Sequence, residues 1–273
     1  LFFIKKWYYK KCRNLFNMGG NMKILTITNN KGGVAKTTSV QNIGAAMEQL
    51  GYKVLLVDLD PQGNLSSSFG INTDKLDKTI FDAMKEKNAK PYIVEIKEKL
   101  HLLPSNLVLE KANIEFSSLP VRELILEKTL KTIKEDYDIC LIDTSPSLSL
   151  LTTNAISCAN SIYIPVRAGF YEMKGSKLLI ELINELKEDI NEKLEIKGIF
   201  VTQYDSRTNI SQAVIEAIDK NIPGKLLKAK IRNNISLVEA PTNALDIFTY
   251  DKNSKGSKDY LELTKEILNR EEI

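Results

Sequence analysis

The stretch Lys31-Gly32-Gly33-Val34-Ala35-Lys36-Thr37-Thr38 stands between two segments of contrasting pattern. Before it, Lys23-Ile-Leu-Thr-Ile-Thr28 is short, apolar and β-branched, as a buried strand is. After it, Val40, Ile43, Met47 and Leu50 recur at helical spacing, and Gly51 reads as the helix stop. A strand, a glycine-rich turn and a helix in that order bring successive backbone N–H groups and the positive end of a helix dipole to one point. Such a point holds an anion.

The same alternation runs on from there. Further strands are predicted at Lys53–Asp58 and near His101–Pro104, Asp138–Asp143, Ser161–Val166, Ile196–Thr202 and Lys225–Lys230. Helices are predicted near Val121–Glu135, Ser149–Cys158, Gly175–Asp189, Ser211–Lys220 and Gly256–Arg270, with Ser66–Ser68 and the Lys/Glu-rich stretch 85–99 as surface loop and helix. Strands alternating with helices imply parallel βαβ units, hence an α/β fold with a mostly parallel sheet flanked by helices. No Pro/Gly/Ser-rich linker interrupts residues 22–273, which read as one domain.

Composition excludes several classes. The chain of 273 residues has 38 basic and 35 acidic side chains and is 43% hydrophobic, an ordinary globular balance. Apolar runs of about four residues are far short of the roughly 20 that span a bilayer. Three cysteines without a CxxC pair argue against a disulfide framework or a thiolate metal site, and Cys140 and Cys158 read as core residues. The lone histidine, His101, is expected at a strand edge on the surface. Residues 1–21 form a basic leader with Lys5, Lys6, Lys10, Lys11 and Arg13 and no acid. Codons for Gly19-Gly20 can spell a ribosome-binding sequence just before a start at Met22, so the leader is expected to be untranslated upstream sequence; membrane contact and a flexible tail are the alternatives. Without those five cations, 33 basic residues face 35 acidic ones and the formal charge becomes −2.

The loop itself carries chemistry. Lys36 can reach the outer phosphates of a nucleotide, and the Thr37 hydroxyl can ligate Mg²⁺, as in a P-loop. Ala35 stands where GxxxxGK[ST] has glycine, a change of little cost at negative φ and of about 1 kcal/mol at positive φ. Lys31 adds a second lysine at the loop's start. Two strand ends complete the set: Val54-Leu-Leu-Val-Asp58-Leu-Asp60-Pro61-Gln62-Gly63-Asn64 and Tyr137-Asp-Ile-Cys-Leu-Ile-Asp143-Thr-Ser-Pro146. Each delivers a carboxylate to the edge where open α/β sheets bind ligands. Asp143 is placed to hold Mg²⁺, mostly through water, and Asp58 to support its loop.

Together these motifs resemble the deviant Walker A P-loop ATPases of the ParA/MinD group. The DxDPQGN form narrows the resemblance to the partitioning branch, ParA/Soj. So do Ile164-Pro-Val166, Gly198 to Asp205 with Arg207-Thr208, Arg232-Asn233, Glu239-Ala-Pro241, and Tyr250-Asp251 followed by Ser254-Lys-Gly256. The resemblance covers 22–273 and implies an ATPase that uses ATP and Mg²⁺. It implies nucleotide contacts from Lys31, Gly32, Gly33, Val34, Ala35, Lys36, Thr37, Thr38, Arg232 and Asn233, and metal contacts from Thr37 and Asp143. Lys31, Lys36 and Asp60 are implied as catalytic, with Lys31 reaching a partner's nucleotide across an ATP-bridged homodimer and Asp60 near the attacking water.

The run Lys220–Arg232 holds Lys220, Lys225, Lys228, Lys230 and Arg232 and no acid, and solvated charge is the ordinary reading of such a run. The resemblance implies instead sequence-independent DNA binding through Arg207, Lys225, Lys228, Lys230 and Arg232, with Ser236 standing where a second arginine is often found. It also implies a ParB-like partner that stimulates hydrolysis, and a cytoplasmic, nucleoid-associated protein that segregates chromosome or plasmid DNA. A MinD-like membrane ATPase is the first alternative, but Ile267–Ile273 is short and acidic, so no stable membrane association is expected. A regulator of gene expression on the same scaffold stays open.

Overall fold

The computed structural model describes residues 22–169 and 173–273, without the side chains of 173–176. The basic leader 1–21 lies outside the described residues. Among the described residues, eight strands make one sheet: β1 (Lys23–Ile27), β2 (Val54–Leu59), β3 (Val94–Lys97), β4 (Leu100–Leu103), β5 (Ile139–Thr144), β6 (Ser161–Arg167), β7 (Glu195–Tyr204) and β8 (Leu226–Arg232). Their order is β3-β4-β2-β5-β1-β6-β7-β8, and every pairing is parallel except β3 with β4. Every residue of β2 and β5 is buried, as in strands covered on both faces, and each is apolar up to the aspartate near its C-terminal end.

Side-chain alternation sends neighbouring strand residues to opposite faces. Leu25, Ile27, Leu56 and Leu141 pack under α1 (Lys36–Gln49) together with Tyr260, Leu263 and Ile267. Ile24, Leu55, Val57, Cys140 and Ile142 face the other way, onto α2 (Ile80–Glu86), α3 (Ile125–Leu130) and α4 (Leu150–Cys158). A third cluster joins β6 and β7 to α5 (Met173–Asp189) and α6 (Asn209–Asn221). A Cβ on Gly44 would lie 2.5 Å from a Leu56 methyl, so glycine lets α1 rest directly on β2.

Helices α7 (Ser236–Thr242) and α8 (Lys255–Glu271) finish the β8 side. Glu266 of α8 accepts hydrogen bonds from the amides of Lys228 and Ala229, and Asp259 accepts one from the amide of Arg232 at 2.9 Å. Arg270 donates to the carbonyls of Lys197 at 2.7 Å and Leu226 at 3.0 Å. Side chains of α8 therefore satisfy backbone groups of the edge strand β8 that lack a neighbouring strand, and Arg270 also ties in Lys197 of β7.

Three expectations need correction. The stretch 85–99 is not loop and helix throughout: it includes β3, an edge strand whose exposed Val94 and Glu95 hide the alternation that betrays a strand. The helix expected at Val121–Glu135 is α-helical only over Ile125–Leu130, with 3₁₀ turns on either side. His101 is not on an edge strand, because β4 pairs on both sides; it is half-buried, with Nδ1 2.7 Å from the Tyr137 hydroxyl.

Candidate functional site

β1 ends at Ile27, and the chain turns through 28–35 before α1 begins at Lys36. Asn29 holds the start of the turn, donating to the Pro165 carbonyl at 2.8 Å and accepting from the Lys31 amide at 3.1 Å. Gly33 has φ +72° and Ala35 φ +65°, so the loop takes the left-handed conformation twice. Ala35 is thus at the costlier of its two possible geometries, about 1 kcal/mol above glycine. A Cβ added at Gly32 or Gly33 would meet nothing within 4 Å, so the space over these residues is open.

Lys36 is buried and donates to the Lys31 carbonyl at 2.7 Å. Burial pulls its pKa down, while the charges of Asp143 and Asp60 oppose that shift. The Thr37 hydroxyl donates to Asp143 Oδ2 at 2.7 Å. The two candidate metal ligands are therefore in contact. Asp143 is fully buried, which raises its pKa; Asp58 beside it adds to the rise, and Thr37 and Lys36 oppose it. A hard divalent cation suits this set of hydroxyl and carboxylate oxygens, and its charge favours the ionised carboxylate. Thr38 lies further into α1, its carbonyl taken by Asn42 at 2.7 Å.

Asp60 follows β2 and is buried; its Oδ1 accepts from the Gln62 amide at 3.0 Å. Asp58 does different work. Its Oδ2 accepts from the amide and hydroxyl of Ser66, at 2.8 and 2.7 Å, and Ser66 in turn accepts from the Ser105 amide. It organises the loop after β2.

The remaining candidates line the β7–β8 side. Asn233 donates from Nδ2 to the Gln203 carbonyl at 3.3 Å, and Gln203 donates to the Gly33 carbonyl, so Asn233 is linked to the phosphate loop through one residue. Arg232 directs its guanidinium to buried Asp259, at 2.5 to 3.2 Å. Burial of its partner sets this pairing apart from that of the other basic candidates. Arg207 pairs with Asp205 on an exposed loop, at 2.7 Å, and this pairing lowers the Asp205 pKa to about 2. Lys230 sits over the Tyr204 ring, 5.3 Å from its centre. Lys225 and Lys228 flank and occupy the same strand, Lys228 with its side chain exposed.

Motif reading gave no individual role to Thr202 and Gln203, although they lie within Gly198 to Asp205, nor to Asn234 beside Arg232-Asn233. Thr202 donates to the Val34 carbonyl at 3.1 Å. Asn234 has a buried amide oxygen without a hydrogen-bond partner, next to Asn233. No local spacing signals these residues; the fold alone carries them to the loop.

The model of the AAA domain family matches residues 22–196. The sporulation initiation inhibitor protein Soj of Bacillus subtilis (strain 168) is 38% identical over 247 residues, spanning 90% of this chain and 98% of that protein. The chromosome-partitioning ATPase Soj of Treponema pallidum (strain Nichols) is 36% identical over 251 residues, spanning 91% and 98%. Among solved structures, cobyrinic acid a,c-diamide synthase from Mycobacterium smegmatis, with bound ATP analog and magnesium, matches with TM-score 0.82 and 32% identity over 91% of this chain and 94% of that one. With its phosphate loop, its Thr37–Asp143 pair and its mostly parallel sheet, the chain belongs to the Soj/ParA family of chromosome-partitioning ATPases.

Proposed function

We propose that this chain is an ATP-timed tether for DNA, acting in chromosome or plasmid segregation. The observation that carries the reading is the Thr37–Asp143 hydrogen bond beside buried Lys36, a constellation suited to a nucleoside triphosphate and its cation. In this reading the loop amides of residues 32–37 hold the phosphates, Lys36 leaves the Lys31 carbonyl to meet them, and Thr37 and Asp143 hold Mg²⁺. Magnesium, when bound, neutralises charge on the oxygens around the transferring phosphoryl group. Asp60 orients the attacking water. Lys31 acts in trans across an ATP-bridged homodimer, adding charge where it develops in the transition state. The unpartnered oxygen of Asn234 is an acceptor suited to the exocyclic amine of adenine.

Dimerisation would double a basic surface built from Arg207, Lys225, Lys228 and Lys230, and two weak patches held together bind far better than one. Arg207 can exchange its exposed partner Asp205 for a phosphate at little cost, since exposed ion pairs are weak. Arg232 contributes less, being held by buried Asp259. In this reading a ParB-like partner stimulates hydrolysis and so releases the DNA, and the protein works in the cytoplasm on the nucleoid.

Sedimentation with DNA in ATP, in ADP and without nucleotide, over a salt series, tests this. Binding should require ATP, ignore DNA sequence and fall steeply with salt. Asp60→Ala should persist on DNA and hydrolyse little ATP, and Lys36→Ala should lose the ATP dependence. Normal hydrolysis by Asp60→Ala would overturn the catalytic assignment, and equal DNA binding without nucleotide would overturn the switch.

A further inference from the structure

Gln203 has φ +51°, in the left-handed region, although it lies within β7 and carries a full side chain. Such a conformation costs on the order of 1–3 kcal/mol and persists only where the surroundings hold it. The pairing of β7 with β8 shows the local cause. It passes from Val201↔Lys230 to Tyr204↔Arg232, so three steps on β7 meet two on β8. This is a bulge, a device that redirects a side chain at a strand's end. Here it turns the Gln203 amide toward the phosphate loop, where Nε2 donates to the Gly33 carbonyl at 2.9 Å.

A peptide unit is planar and trans, so its C=O and its N–H point in opposite directions. Fixing the Gly33 carbonyl toward β7 fixes the Val34 amide toward the open side of the loop. Thr202 does the same one residue on, holding the Val34 carbonyl and so directing the Ala35 amide. Ser39 takes the Ala35 carbonyl, with its hydroxyl at 2.6 Å and its amide at 2.9 Å. Three consecutive carbonyls are thereby held away from the space that an anion would enter. Gln203 supplies the one of these holds that costs backbone strain, and it does so beside Ala35, where the loop is itself strained.

We propose that Gln203 is a positioning residue for phosphate binding, orienting the Val34 amide by holding the Gly33 carbonyl. The inference rests on the loop being the nucleotide site. Gln203 touches no phosphate itself.

Glycine at 203 separates positioning from a merely structural role, because it relieves the strain while removing the donor. Gln203→Gly should keep or raise the melting temperature, yet weaken ATP binding roughly three- to tenfold, the range of one lost hydrogen bond. KM for ATP should rise by the same factor with kcat within about twofold. Gln203→Asn, which tolerates the left-handed conformation but is one methylene short, should show the same loss. Undiminished ATP affinity in either variant would overturn the proposal, as would a loss matched by a parallel fall in melting temperature. Wild-type protein that binds no ATP would instead overturn the assignment of the site, so the two failures are distinguishable.

Discussion

Ala35 occupies a left-handed position that glycine would adopt without cost. The penalty for a Cβ there is about 1–2 kcal/mol, offset in part because glycine also frees the unfolded chain by roughly 0.4–1 kcal/mol. Ala35→Gly should therefore stabilise the protein by about 0.5–1 kcal/mol, seen as a rise of roughly 1–4 °C in thermal unfolding. An unchanged or lower midpoint would mean that the loop carries no strain at this residue. Residues of this loop were legible before the fold was known, because Lys36, Thr37 and the strand-end carboxylates Asp60 and Asp143 sit in short motifs whose spacing has a mechanical reason. The sign of φ at Ala35 was not legible, since both signs are compatible with the same letters. The contact of Gln203 was hidden for another reason: it meets Gly33 across 170 positions of sequence, and only the sheet order brings them together.

Elements show a similar division. Buried parallel strands announce themselves by continuous apolar runs, and β2 and β5 lie within a residue or two of where pattern places them. Exposed β3 does not, because an edge strand is free to be charged. Helix α7, with Pro241 inside it, also lacks a readable period. Helix α8 was readable as a helix but not as a clamp. Asp259, Glu266 and Arg270 are spaced by seven and four residues, which puts them on one face, and each meets β8 backbone. Asp259 also holds the Arg232 guanidinium. Asp259→Ala should cost about 2 kcal/mol, the worth of a buried carboxylate's charge-assisted hydrogen bonds, and lower the melting midpoint by roughly 4–8 °C. A drop of less than a degree would show that the clamp adds nothing to stability.

At the scale of the molecule, the sheet gathers Asp58, Asp60 and Asp143 at the same edge, with Lys36 as the nearby cation acted on by two of them. Burial holds the Asp58 carboxyl up at about 6, against the hydrogen bonds from Ser66. Its unfolded value is around 4. The folded chain thus keeps a proton that the unfolded chain releases, so this group's contribution to stability is full below about pH 4 and lost as pH rises through about 6. Asp58→Asn removes that loss. Relative to wild type, its unfolding free energy should gain on the order of 2–3 kcal/mol between pH 4 and pH 7 in denaturant titrations. A difference independent of pH would show that the Asp58 charge does not set it. The clamp on β8 has a consequence in time as well as in energy. All eight strands precede α8 in the chain, so a polypeptide emerging from the ribosome exposes the open edge of β8 before Glu266 exists to cover it. At about 5–20 residues per second, the roughly 40 residues between them leave that edge bare for some 2–8 s. During that interval a nascent chain can pair strand to strand with its neighbours on the same message, and a helper that shields β8 would matter most then.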